Sequence, residues 1–388
     1  MYGQRMFWLL VIFSQAYLGF CTERRALNKF IHHFEPFNYA EDEIKDSYQN
    51  GEEVKTLNFK AFGRNFNLRV KQDKDTFYPN MEGIAKEVKD SLDNTVVGHL
   101  EGEPNSEVFG SVKNGKFEGT IFVGDDEFSV KPAKHYFDQP QEFQYVIFNA
   151  KDVDDPHRKK NAEDIFSKAS DTHRAKRRRR ESSQYDLPDT FKLYDQIKNK
   201  KLKICNISME ADYLFTRVLG NDTGRAVGEM IYLVRVANRK LDDISKTKEW
   251  GKTFKVRLMI GRIMAYTYAT TPKELQPENM GVSTFLDYVS DRNYDGFCQA
   301  FFFTYRDFEG GITGLSWGND AQDGICSARR YFIRIYENFN VQKSKSYNSG
   351  VITYKFYGTL VPPKIREIAF LRQVGTAFGA KVSSYITS

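Results

Sequence analysis

Histidine runs out early in this sequence. All six lie at or before His173, so residues 174–388 contain no imidazole and a histidine-built zinc site is excluded there. Charge of one sign is also scarce. The net charge is +6 over 388 residues, and much of the excess sits in the run from Lys176 to Arg180 rather than over a face, as nucleic-acid binding would require. Long apolar runs are absent beyond the first residues, so no later segment is expected to span a membrane. Apolar residues as a class are not lacking. At 40% hydrophobic and 15% aromatic, the chain can bury a core in each of two ordinary domains, and it is not disordered.

The N-terminus reads as a secretory signal peptide over residues 1–21. Arg5 precedes the apolar stretch from Met6 to Phe13, and the small residues Ser14, Ala16 and Gly19 follow. That stretch is too short to cross a bilayer of roughly 30 Å as a permanent helix. A cut after Ala16 and a cut after Cys21 both fit. The expected product is exported, soluble and exposed to an oxidising environment, where cysteines tend to pair. Cys21 sits at the edge of the signal segment, which leaves Cys205, Cys298 and Cys326. Three is odd, so one thiol lacks an intramolecular partner. Two acceptor sequons, at Asn206 and Asn221, fit the same compartment.

Residues 22–150 read mostly as strand. Alternating runs such as Leu57 to Val70, Gly119 to Val130 and Phe143 to Phe148 are separated by turn-rich stretches. Residues 151–183 lose this pattern and form a charged linker that carries Arg177, Arg178, Arg179 and Arg180. Behind a signal peptide, such a run is a recognition site for a furin-like convertase, whose acidic cleft takes basic side chains. Residues 184–388 alternate strands with helices, the order of an α/β domain with a mixed sheet. Strand-like runs are Lys201 to Ile207, Phe254 to Tyr268, Cys298 to Thr304 and Val351 to Tyr357. One helix shows a buried stripe of Val227, Ile231, Val234, Leu241 and Ile244, capped by Asp222 or Thr223. A last helix follows Pro362-Pro363, with the stripe Ile368, Leu371, Val374, Phe378 and Val382.

Several blocks in one order resemble a known family. Leu27-Asn28-Lys29-Phe30-Ile31, the stretch from Phe62 to Arg69, Gly98-His99, Gly115 to Gly119 and Asp155-Pro156-His157 are similar to the prodomain of ADAM-type metalloproteases of the Kuzbanian or alpha-secretase branch. Tyr305-Arg306-Asp307-Phe308, Gly314-Leu315-Ser316-Trp317, Gly324-Ile325-Cys326, Tyr357-Gly358 and Val361-Pro362-Pro363-Lys364 are similar to the protease domain. The resemblance implies a mainly-β prodomain followed by an α/β metzincin-like (zincin) upper subdomain with a mixed sheet, ending at the former active-site helix.

Members of that family carry H-E-x-x-H-x-x-G-x-x-H on the last helix. Two histidines one turn apart face the same side, the glycine turns the chain and the third histidine completes a zinc site with one open position. The glutamate then takes a proton from the metal-bound water. Here the same register runs from Arg372 to Val382. Val374, Gly375, Phe378 and Gly379 keep the scaffold, but Arg372, Thr376 and Val382 stand at the ligand positions and Gln373 at the general base. A guanidinium repels a divalent cation, a hydroxyl is a weak ligand, an isopropyl group offers no electron pair and an amide takes up no proton. No zinc or other cofactor is therefore expected, although the family uses zinc.

The resemblance carries further expectations. The prodomain cysteine that silences the zinc is replaced, with Asn161 near its place. The cysteine matching Cys326 pairs in the family with one beyond the active-site helix, whereas this chain stops at Ser388; Cys326 is then a free or intermolecular thiol, and Cys205 can pair with Cys298. The lower protease lobe, the methionine turn, the disintegrin and cysteine-rich modules and the membrane anchor are absent. The strand from about Ile312 to Trp317, including Gly314, Leu315, Ser316 and Trp317, matches the edge that pairs with an extended peptide substrate. These points describe a secreted, inactive ADAM-type homologue. It would act as a decoy for protein substrates or as a prodomain-mediated regulator of an active ADAM relative. The resemblance alone would instead imply a zinc metalloendopeptidase that sheds membrane-protein ectodomains, including Notch-type receptors. A third outcome is a product that does not fold stably without its lower lobe.

Overall fold

The computed structural model describes residues 26–154 and 202–380, apart from 40–44, 50–51, 79–88, 90–91, 138, 246–254, 319–322 and 336–339. The signal segment, Asn161, the basic run Arg177 to Arg180 and Val382 lie outside the described residues.

Alternating side chains build the first half. In Arg64–Gln72, Phe66, Leu68 and Val70 are buried while Asn65 is exposed and Asn67 and Arg69 are half-buried, the period of two of a sheet with one face covered. Nine strands follow in chain order: β1 (Glu35–Phe37), β2 (Lys45–Gln49), β3 (Glu52–Ala61), β4 (Arg64–Gln72), β5 (Thr95–Leu100), β6 (Glu103–Lys113), β7 (Lys116–Val123), β8 (Asp126–Pro132) and β9 (Tyr145–Asn149). They form one antiparallel sheet in the order β1-β9-β8-β7-β6-β5-β4-β3-β2. Two-residue turns set the register. Asn114 (φ 49°) and Gly115 (φ 73°) join β6 to β7 with both centres left-handed, which suits an Asn-Gly pair and the twist of the strands. Phe59 stacks on Phe66 at 5.0 Å over Leu57, Leu68 and Phe117 in the core beneath.

The second half is layered around a mixed sheet. Its main strands are β10 (Leu202–Ala211), β11 (Lys255–Ala265), β12 (Gln299–Thr304) and β13 (Gly314–Ser316), then a hairpin of β14 (Arg330–Ile335) and β15 (Asn340–Lys345), and β16 (Ser349–Thr353), followed by the short pair β17 (Lys355–Phe356) and β18 (Thr359–Leu360). The five-stranded sheet has the order β11-β10-β12-β16-β13, parallel except for the antiparallel edge strand β13. Parallel neighbours need crossovers. Helices α1 (Tyr213–Val218) and α2 (Thr223–Ser245) lie between β10 and β11, and α3 (Val282–Ser290) lies between β11 and β12. Strand β12 is buried on both faces. Phe301 and Phe303 pack with α2 and the last helix, α4 (Pro363–Ala377), while Phe302 packs with Phe285 of α3 on the other side.

Both helical stripes differ in detail from the sequence expectation. In α2, whose start is capped by Asp222 accepting from Arg225 N, Val227, Ile231 and Val234 are buried, yet Ile244 is 47% exposed. Asn238 exchanges two hydrogen bonds with the Leu258 backbone, and beyond it Leu241 is half-buried against the core while Ile244, in the last turn, faces solvent. In α4 the buried apolar positions are Ile365, Ala369, Phe370, Val374 and Ala377, whereas Ile368, Leu371 and Phe378 are half-buried. The displacement has a physical reason. One side of α4 meets the sheet through Phe370 against Phe301 at 4.9 Å, and another meets the first half through Lys364 on Glu127 and Ile365 beside Phe30, so burial exceeds a single stripe.

The halves share a core. Phe122 of β7 belongs to the cluster built by α2 and the mixed sheet, and Phe30 packs on Phe356, Val361 and Ile365. Asp73, just past β4, holds Arg235 of α2 through both carboxylate oxygens. Among the described residues no helix is long and apolar enough to cross a membrane.

Candidate active-site helix and its cover

Pro363 starts α4 at a position where a missing N–H is harmless, and Phe370 and Val374 then fix its rotation on the sheet. This rotation turns Gln373 toward the edge strand. Gln373 is 3% exposed, and its side-chain oxygen accepts a hydrogen bond from Ser316 Oγ at 2.9 Å. Gly314 on the same strand permits the approach, because a Cβ there would stand 2.9 Å from Gln373 Nε2. One turn on, Thr376 is buried and its hydroxyl donates to the Arg372 carbonyl at 2.9 Å. Arg372 is half-buried.

These residues do not fit a zinc ion. The Gln373 oxygen is already engaged, the Thr376 hydroxyl is turned back on its own helix and a guanidinium has no lone pair to give. Among the described residues no group of three or more His, Cys, Asp or Glu could hold a metal.

The wall beside the helix is formed by β13. Its residues pair antiparallel with β16, Leu315 with Val351 and Ser316 with Gly350, and β13 ends the sheet. Gly314 and Ser316 are buried under Gln373, while Leu315 and Trp317 pack against the cluster of α3. Trp317 Nε1 donates to Ser290 Oγ at 2.8 Å, and its ring meets Tyr347 edge-on at 5.0 Å. What faces outward from this strand is therefore chiefly backbone. The far end of α4 is tied down as well, since Ile325 N donates to the Ala377 carbonyl at 3.0 Å.

Cysteines and sequons occupy distinct settings. Cys205 of β10 and Cys298, just before β12, form a disulfide with Cα atoms 5.3 Å apart that closes a loop 93 residues long. Cys326 is free, and burial pushes its thiol up from the ordinary range. Asn206 lies on the inner strand β10. Its amide nitrogen donates to Gly296 O at 3.4 Å, and its oxygen is buried where a Cβ on Gly261 would fall. Asn221 is exposed, at φ 55° in the turn between α1 and α2.

The chain is 30% identical over 390 residues to human disintegrin and metalloproteinase domain-containing protein 10, covering 91% of this chain and 49% of that protein. The chain belongs to the disintegrin and metalloproteinase (ADAM) family. The bovine ADAM relative is 29% identical over 380 residues, with 91% and 49% covered. The Caenorhabditis elegans homologue is 25% identical over 432 residues, with 96% and 46% covered. The chain spans about half the length of the curated ADAM relatives it matches. No protein-family model matches it.

Some polar clusters of this ADAM chain carry no sequence signal. Glu210 of β10, 1% exposed, is clasped by Arg262 and Arg292, each at 2.7 Å, and accepts from Tyr266. Glu229 of α2 binds Lys131 and Arg366, which lie 98 and 137 residues away in sequence. Separations of that size hide such partners from any local pattern.

Proposed function

We propose that this chain is a non-proteolytic member of the ADAM family, a pseudoprotease that works by binding. Residues 22–150 are its prodomain, 151–183 a linker cut by a furin-like convertase within Arg177 to Arg180, and 184–388 a peptidase-like domain of metzincin upper-lobe type. Residues 1–21 direct it to secretion. One observation carries the reading: at the position of the general base stands Gln373, which takes up no proton and whose oxygen is held by Ser316. The matching ligand positions, Arg372, Thr376 and Val382, offer a cation, an occupied hydroxyl and a hydrocarbon. Without a metal-bound water there is no nucleophile to attack a peptide.

The binding surface is the backbone of Gly314 to Trp317 at the sheet edge, which can pair with an extended peptide by strand addition. Such pairing needs no metal. The partners are an extended protein substrate, held as a decoy, or an active relative regulated through the prodomain. The test is metal analysis of the purified chain together with a peptide-cleavage assay. We expect substoichiometric zinc and no chelator-sensitive hydrolysis; one tightly held zinc per molecule with chelator-sensitive cleavage would overturn the reading.

A further inference from the structure

A polar layer is buried where the two halves meet. Tyr232 of α2 donates its hydroxyl to Glu367 Oε1 of α4 and accepts from Thr120 Oγ1 of β7 at 2.8 Å. Lys364, one turn before Glu367, reaches Glu127 Oε2 of β8 at 2.5 Å and Glu367 Oε2 at 3.4 Å. One ammonium thus faces two carboxylates, one from each half. The Glu367 side chain is 2% exposed and that of Glu127 12% exposed, and Glu127 Oε1 is buried without a hydrogen-bond partner. Water cannot dilute the surplus negative charge there, and an acceptor oxygen is left over.

The neighbouring groups do not supply the missing positive charge. Lys131 of β8 is 3.2 Å from Glu229 and 3.5 Å from Glu118, and Arg366 of α4 is 2.8 Å from Glu229. Their two cations are thereby matched by two carboxylates. Tyr354 donates to Glu229, and Arg225 contacts His135, whose imidazole is held down to about 3 by burial and by Arg225, and so stays uncharged. The surplus anion of the Glu127 and Glu367 pair remains. With a second carboxylate beside it and only one cation for both, the deeply buried Glu367 keeps its proton rather than ionising.

We propose that Glu367, beside Glu127 and sharing its one cation, keeps a proton in the docked chain, and that losing it loosens the first half from α2 and α4, so that docking is firmer at mildly acid than at alkaline pH. Burial, followed by the Glu127 charge, lifts the Glu367 carboxyl from 4.5 to about 8 against the pull of Lys364. The folded value lies above the unfolded one. The contribution to docking is therefore full below 4.5 and is lost as pH rises through about 8.

The experiment is amide hydrogen exchange on the full chain between about pH 5 and pH 9, normalised for intrinsic exchange rates. It compares residues 126–132 and 363–377 in the natural chain, in Glu367→Gln and in Glu127→Gln. In the natural chain, protection should fall by up to about tenfold per pH unit toward 8, the slope of one proton. Glu367→Gln should abolish that fall. Glu127→Gln removes the neighbouring charge and should move the fall to lower pH, which keeps the test open if the first variant does not fold. Protection that falls equally in the natural chain and in Glu367→Gln, or a fall that Glu127→Gln leaves in place, would overturn the proposal.

Discussion

Gln373 shows how one exchanged residue changes the role of a helix. A glutamate there would need a proton acceptor's freedom. The glutamine is instead 3% exposed and fastened to Ser316 across the cleft wall. Truncating it to alanine strands the Ser316 hydroxyl in a buried site, a loss of about 1–3 kcal/mol. Urea unfolding of Gln373→Ala should therefore show a clearly lowered midpoint. A change within about 0.5 kcal/mol would mean that the contact is not structural. The two sequons separate at the same scale. Asn206 is wedged between Gly296 and Gly261 on the inner strand β10, whereas Asn221 stands exposed in a turn. Expressed through a secretory cell, the chain should lose glycan mass on Asn221→Gln, and Asn206→Gln should leave that mass unchanged. The reverse result would place Asn206 outside the sheet during folding.

At the scale of elements, the sequence was legible where period and turn chemistry agreed. Leu57 to Val70 lies in the hairpin β3-β4 and Gly119 to Val130 in β7-β8: alternation marked the half-covered sheet, but each run read as one piece folds back at a turn within it, at Phe62-Gly63 and at Gly124-Asp125. The run from Cys298 to Thr304 became β12, whose near-continuous apolar character suits a strand covered on both faces. The stripe on α4 was less legible. Its second partner is the first half of the chain, and a period analysis of one helix cannot register a surface brought from elsewhere. This shift is measurable. Phe370, fully buried between Phe301 and Phe303, should lose about 3–5 kcal/mol on Phe370→Ala, whereas half-buried Phe378 should lose markedly less on Phe378→Ala. Equal losses would restore the stripe read from sequence. The disulfide belongs here too. Joining β10 to the start of β12 across 93 residues, it should contribute about 2–5 kcal/mol, seen as a lowered melting midpoint of a Cys205→Ser and Cys298→Ser double variant.

At the scale of the whole molecule, the halves are held together by buried ions as well as by hydrophobic contact, and this makes acid a second way to part them. Burial alone would raise the Glu229 carboxyl. Lys131 from β8 and Arg366 from α4 outweigh that and bring it down from 4.5 to about 2. A depressed carboxylate contributes stability that is present above 4.5 and lost as pH falls toward 2, the opposite sign to Glu367. Replacing Lys131 with methionine keeps the stem of the side chain and removes one of the two cations. Urea midpoints of Lys131→Met should therefore begin to fall at a higher pH on the acid side than those of the natural chain. The variant should also be less stable near neutral pH by about 3–5 kcal/mol, because Glu229 is left with only Arg366 in a site that water does not reach. An acid limb identical to that of the natural chain would mean that Glu229 does not draw its charge balance from the first half, and that the halves are held by Phe30, Phe122 and their apolar neighbours alone.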